Sequence, residues 1–255
     1  MKNENLAWLS RSELLILEEG IEKLQKSHVL VVGLGGVGSF AAEFIARAGI
    51  GKMTIVDGDV VDDSNRNRQL PALATTVGLP KVDIMKDRLL AINPDLKLNC
   101  IQSFITPEAV EDLLANKDFD YVMDCIDSVS PKLTLLKSAY EKKYKIVSSM
   151  GAGGKMDPTL IRTADLFETM ECYLASLVRK RGRKMGLGKG IKAVYSKEKV
   201  RDESLILTDG SNFKKSAYGT ISYLPAAFGG VAASVVIRDL LGEKIPLEKR
   251  PKALR

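Results

Sequence analysis

Over the first 150 residues, short apolar runs alternate with stretches whose apolar positions recur at helical spacing. Ser10 and Glu13 stand at capping-box spacing ahead of the first periodic run, which predicts a helix over 11–26. A strand over 28–33, a helix over 36–48 and a strand over 52–57 follow. The polar stretch DGDVVDDSNRNRQL reads as a loop. Pro80 opens a helix that runs to Ile92, and LKLNCIQS (96–103) is a strand. Pro107 opens a helix to Leu114, and FDYVMDCID (119–127) is an apolar strand ending in acids. Pro131 opens a helix to Lys142, and KIVSSMG (145–151) is the next strand. This alternation predicts the α/β class, with a mostly parallel twisted sheet and helices on both faces.

From 151 the rhythm changes. GAGGKMDPTLI (151–161) is a glycine turn into a strand, and a helix around 168–181 runs into RKRGRKMGLGKGIK. Residues 202–218 read as a mobile loop, YGTISYL (218–224) as a strand, and the residues after it as a small-residue helix. The stretch 216–237 has no charge and is long enough to cross a membrane. Its Gly219, Pro225, Gly229, Gly230 and alanines fit a helix packed closely on the sheet, so no membrane span is expected. The expected organisation is a nucleotide-binding core over 1–150. A part over 151–255 continues the sheet with a basic loop and a terminal helix, in one compact domain.

The chemistry centres on VVGLGGVG. The glycines Gly33, Gly35, Gly36 and Gly38 lie between a strand and a helix, and Asp57 closes the next strand. In a Rossmann-like unit such a turn lets backbone N–H groups approach a phosphate at a helix N-terminus, and the acid binds ribose hydroxyls. The plainer alternative is a glycine turn that only permits close helix–sheet packing. The following loop holds Asp59, Asp62, Asp63, Asn65, Arg66, Asn67 and Arg68, acids for ribose or metal and arginines for phosphate, or else a solvated turn. Lys81 opens a helix, against the helix dipole, and a phosphate would remove the conflict. Asp124 and Asp127 end a buried strand and could hold Mg²⁺, although Asp127 could equally cap the next helix. The only histidine, His28, starts a strand beneath the glycine turn and reads as structural, which argues against a dehydrogenase.

Composition changes the picture little. Apolar residues are 45% and charged residues 27%, as in ordinary globular proteins, and the net charge of +6 hints at a polyanionic partner. Cys100, Cys125 and Cys172 are scattered, with no C-x-x-C pair to hold zinc. With no signal-peptide pattern, this predicts a reducing, cytoplasmic setting. The run from Arg179 to Lys192 holds seven cations (Arg179, Lys180, Arg181, Arg183, Lys184, Lys189, Lys192), no acid and interleaved glycines. It reads as a flexible loop suited to a nucleic-acid backbone, or as a solvated surface.

The stretches GLGGVGS (33–39), IVDGDVV (55–61), SNRNRQ (64–69), GLPK (78–81), INP (92–94) and DCIDS (124–128) form an ordered set. Together they resemble the adenylyltransferase family that includes the ubiquitin-activating enzymes and the bacterial ThiF, MoeB and HesA proteins. The resemblance implies that Gly33 to Gly38 form the phosphate-side turn and that Asp57 binds ribose. It implies that Asn65, Arg68 and Lys81 contact the ATP phosphates and that Asp127 holds Mg²⁺. Asp59, Gln69 and Ser128 complete the nucleotide set, and Arg11 reaches the ATP of a partner subunit in a homodimer. Implied cofactors are ATP and Mg²⁺, with a monovalent cation as a further candidate, and neither zinc nor NAD. Unlike MoeB and ThiF, the chain has no C-x-x-C pairs, nor a region like the catalytic-cysteine part of ubiquitin-activating enzymes.

IDSVSPK (126–132), SSMGAGGKMDPT (148–159) and the basic run extend the resemblance to about 11–240 and resemble the tRNA threonylcarbamoyladenosine dehydratase branch, TcdA or CsdL. That branch implies ATP-dependent activation of a threonyl carboxylate on the adenosine beside the anticodon of ANN-decoding tRNAs. Cyclisation follows, with release of AMP and pyrophosphate. It also implies a cysteine-desulfurase system as a candidate partner. Two alternatives stay open: an adenylyltransferase for a sulfur-carrier protein, and a nucleotide-binding scaffold in a sulfur-relay complex.

Overall fold

The computed structural model describes residues 4–115, 118–207 and 216–251. A 3-10 turn (Glu4–Leu9) leads into α1 (Ser10–Lys26). Then come β1 (His28–Val32), α2 (Gly38–Arg47), β2 (Lys52–Val56), α3 (Lys81–Ile92), β3 (Lys97–Ile101) and α4 (Pro107–Ala115). They are followed by β4 (Tyr121–Asp124), α5 (Val129–Glu141), β5 (Ile146–Ser149) and β6 (Ile161–Asp165). The last elements are α6 (Tyr173–Lys184), β7 (Lys192–Ser196), β8 (Leu205–Leu207), β9 (Ser216–Tyr218) and α7 (Tyr223–Leu240). Seven strands form one sheet in the order β3-β2-β1-β4-β5-β7-β6, parallel except for β6 against β7. The expected Rossmann-like α/β architecture is therefore present. The strand order reverses between β1 and β4, and a ligand crevice opens beyond the carboxyl ends of strands at such a switch.

The two strands beside the switch are buried along nearly their whole length. Val29 to Val32 and Tyr121 to Asp124 are each at most 1% exposed, so these strands read as apolar runs rather than alternating ones. On one face α7 packs against α2. A Cβ on Gly229 would lie 2.7 Å from the Val37 carbonyl and 3.1 Å from the Ala41 nitrogen, so the helices meet backbone to backbone. By length and composition α7 could cross a membrane. In this fold Leu224, Phe228, Ala232, Ala233, Val235 and Val236 of α7 lie in the core.

Four expectations are corrected. YGTISYL is not a strand: Tyr218 ends β9, and helix begins at Tyr223. The loop expected over 202–218 contains a 3-10 turn (Asp202–Ser204) and the hairpin of β8 and β9, and its residues 208–215 lie outside the described residues. The basic run is not a loop. Its first half is the end of α6, which begins at Tyr173 because Asp165 caps a separate turn at the Phe167 N–H, and its last residue opens β7. The capping box at Ser10 is not formed: Leu9 is the N-cap, and α1 kinks at Leu17, where φ is +60°.

The α2–α7 packing gives a direct test. Gly229→Ala should force the helices apart and lower stability by about 1–3 kcal/mol. Chemical denaturation of wild type and variant measures this, and unchanged stability would show that the two helices can relax around the added methyl.

Candidate nucleotide-binding site

The glycine turn is shaped first by backbone contacts. Gly33 has φ +92° and donates its N–H to the Val56 carbonyl at 2.8 Å. A Cβ on Gly38 would fall 1.8 Å from the Gly33 carbonyl oxygen, so no other residue fits there. Gly36 is closed off by Pro225 and the Arg68 carbonyl. These three glycines serve packing. Gly35 differs: the nearest side chain to its Cβ position is Gln69, 3.8 Å away, and this stretch of turn faces the crevice. The sequence does not separate the tightly packed glycines from the one with open space, and the structure shows both within a single turn.

Asp57 locks the turn to β2. Its Oδ2 accepts the Leu34 N–H at 2.5 Å and its Oδ1 the Asp59 N–H at 2.8 Å. Burial raises its pKa above the ordinary aspartate value, against the opposing pull of Lys81 and these two N–H groups. Asp59 accepts from Lys81 Nζ at 3.0 Å, and the Lys81 side chain is 5% exposed. The misplaced charge at the start of α3 is thus offset by a carboxylate from the preceding loop.

The SNRNRQ loop folds against the turn. Asp62 and Asn65 form a capping box around the 3-10 turn Asp63–Asn65. Arg68 Nη1 donates to the Ser64 carbonyl and to Asn67 Oδ1, both at 2.8 Å, and Asn67 Nδ2 donates to the Thr220 carbonyl. A guanidinium has five donors, so Arg68 keeps capacity for a phosphate. Gln69 Oε1 is buried with no hydrogen-bond partner among the described residues. A cradle that opens at Gly35 beside an unsatisfied buried acceptor fits a nucleotide.

Beyond β4 the two acids part company. Asp127 is exposed, and Ser128 is the buried N-cap of α5. Asp124 is fully buried. Its Oδ2 binds Lys132 Nζ at 2.6 Å and Ser148 Oγ at 2.5 Å, while its Oδ1 accepts the Ile126 N–H at 3.0 Å. Lys132 Nζ also donates to the Ser149 carbonyl at 2.9 Å. Asp124 is therefore no metal ligand, which corrects its sequence reading. Lys132 was missed; its only signal was a cation one helical turn into α5, the usual mark of a solvated face. Cys125 follows Asp124, and burial pushes its thiol up to about 12, so it is no thiolate nucleophile.

The remaining candidates lie at the other edge of the sheet. Leu9 packs on Gly49, past the end of α2, so Arg11 starts from the edge opposite the glycine turn and does not enter this chain's own crevice. His28 also sits there, bonded through its ring to Thr54 and Asp118, as a structural residue. Within the basic run, Arg179 is turned inward to Thr169 Oγ1, and Lys192 pairs with Asp239 at 2.7 Å. Lys180, Arg181, Arg183, Lys184 and Lys189 are exposed, and Arg183 lies over the Phe167 ring at the edge where β7 begins.

Comparison with known proteins places this geometry. The ThiF family model matches residues 9–254. The chain is 40% identical to a Bacillus subtilis tRNA threonylcarbamoyladenosine dehydratase, over 91% of this chain and 94% of that protein. The crystal structure of E. coli TcdA in complex with ATP superposes with a TM-score of 0.84 at 34% identity, covering 93% of this chain and 95% of that one. A molybdopterin-synthase adenylyltransferase of Salmonella typhimurium is 38% identical, over 54% of each chain.

Lys132→Met should destabilise the protein by about 3–5 kcal/mol, because it leaves a buried carboxylate unpaired. Lys132→Met combined with Asp124→Asn removes both charges and keeps an acceptor for the Ile126 N–H, so it should recover most of that stability. Equal destabilisation of both variants in urea would show that the ion pair is not the controlling interaction.

Proposed function

The chain belongs to the ThiF family, and from that membership we propose that it is an ATP-dependent tRNA threonylcarbamoyladenosine dehydratase. One observation carries the choice within the family. Likeness to the dehydratases spans 91% of the chain, including the glycine-rich segment after β5, whereas likeness to the molybdopterin-synthase adenylyltransferase covers 54%. The sulfur-carrier reading therefore leaves a larger share of the chain unmatched, and likeness to a sulfur carrier protein ThiS adenylyltransferase of Escherichia coli likewise covers 61% of this chain.

In the proposed reaction a threonyl carboxylate oxygen attacks the α-phosphorus of ATP, and pyrophosphate leaves. The ureido group of the same nucleoside then attacks the activated carbonyl, AMP departs and the ring closes. No enzyme thiol is required, in keeping with the raised pKa of Cys125. Asp57, held by two N–H groups, receives the ribose hydroxyls. Asn65, Arg68 and Lys81 neutralise charge that builds on the phosphates, and Gln69 and Gly35 line their path. Among the described residues no three His, Cys, Asp or Glu side chains gather into a metal cage. Asp127, beside Ser128, would hold a Mg²⁺ there, and that ion would add positive charge at the leaving group. Arg11, exposed at the far edge, would act on the site of a second copy in a homodimer. A cytoplasmic setting would suit a tRNA substrate.

Pyrophosphate release from ATP tests the reading. Release should rise on addition of tRNA carrying threonylcarbamoyladenosine and not on addition of a carrier protein ending in Gly-Gly. The reverse pattern would establish the sulfur-carrier reading, and no response to either would leave a scaffold. Arg68→Ala should cut the stimulated rate at saturating ATP by about 10²–10³-fold.

Of the basic run, only the exposed cations remain in the tRNA proposal. Replacing Lys180, Arg181, Arg183 and Lys184 with serine should weaken tRNA binding and leave ATP binding unchanged. The log–log salt slope should become shallower by about 0.9 for each duplex phosphate that is no longer neutralised. An unchanged slope would reduce the end of α6 to a solvated face.

A further inference from the structure

Lys155 lies in the glycine-rich segment between β5 and β6 and is 2% exposed. Its Nζ donates to three backbone carbonyls: Ser196 at 3.0 Å, Glu171 at 3.1 Å, and Glu198. A neutral amine has two N–H donors and an ammonium three, so three acceptors select the charged form. None of these acceptors is a carboxylate. The Glu198 side chain turns away and accepts the N–H groups of Met156 and Asp157. Burial lowers the Lys155 pKa, while Cys172, Glu198 and Glu171 pull it back up.

This is unusual company for a lysine. A buried cationic side chain is normally matched by an anion, as Lys132 is by Asp124. A single positive charge ringed by peptide carbonyls is instead how proteins hold a dehydrated alkali-metal ion. The three carbonyls come from two separate places, the residue before Cys172 at the head of α6 and the end of β7. The segment that carries Lys155 is further tied to the β8–β9 region, through Gly154 N–H to the Gly219 carbonyl and Arg201 N–H to the Gly154 carbonyl. All of these loops lie beyond the carboxyl ends of the parallel strands, on the crevice side. We propose that Lys155 is a tethered monovalent cation: its ammonium occupies a carbonyl-lined alkali-metal site and orders the loops around 151–157, 171–172 and 196–201 without a free K⁺ or Na⁺.

Thermal unfolding in potassium, sodium or choline chloride at equal ionic strength tests this, and needs neither ATP nor tRNA, so its outcome is separate from that of the proposed reaction. Wild type should unfold at the same midpoint in all three salts, within about 1 °C. Lys155→Met keeps most of the stem and vacates the Nζ position, and Lys155→Gln does so with a polar end. In choline each variant should unfold at least about 4 °C lower than wild type, because buried carbonyls lose their donor. Potassium or sodium should restore at least half of that difference, saturably, as binding to the folded state requires. Three results would overturn the proposal: variants that respond alike to potassium, sodium and choline, wild type stabilised by either metal ion, or variants that fail to fold in every salt.

Discussion

The close approach of Gly38 to the Gly33 carbonyl is the constraint from which the site is built. It holds the start of α2 against the end of β1, so the first N–H groups of the helix open on the crevice rather than on solvent at large. The same approach fixes the line of α2, and α7 can then lie against it backbone to backbone at Gly229. Pro225 at the head of α7 closes over Gly36 in turn. A side chain at any of these points would separate elements that carry different parts of the site.

Around that junction, charge is handled in two ways. On the phosphate side the groups stay partly reachable: Arg68 is half-buried and keeps spare donors, and Asp59, which pairs with Lys81, is 43% exposed. Beneath the β4–α5 turn, Asp124 and Lys132 are sealed at 0% exposure. The first arrangement can exchange partners with a ligand. The second cannot, and its effect is to hold the Ile126 N–H and the Ser149 carbonyl in fixed positions below Asp127.

Much of this could be read along the chain. Buried parallel strands are apolar throughout, glycines punctuate the first crossover, and Asp57 ends its strand, so the element order over the first 150 residues and the position of the crevice are legible in the pattern. What escaped was whatever depends on a partner remote in the sequence. Lys132 looks like surface until Asp124 and Ser148 are brought to it. Lys81 reads as a bare charge at a helix start until Asp59 is brought to it. Arg179 and Lys192 counted as part of a cationic run until Thr169 and Asp239 drew them inward. β7 was hidden because its first residue, Lys192, continued that run.

The length of the sheet carries one more consequence. A five-residue strand spans about 16 Å, and fields from exposed charges fade over about 8 Å at physiological salt. The cations at the end of α6 and the polar groups around the glycine turn stand at opposite edges of such strands. They are therefore electrically insulated from each other. Charge can change at one edge over evolutionary time without altering the field at the other, so the two edges are free to drift separately.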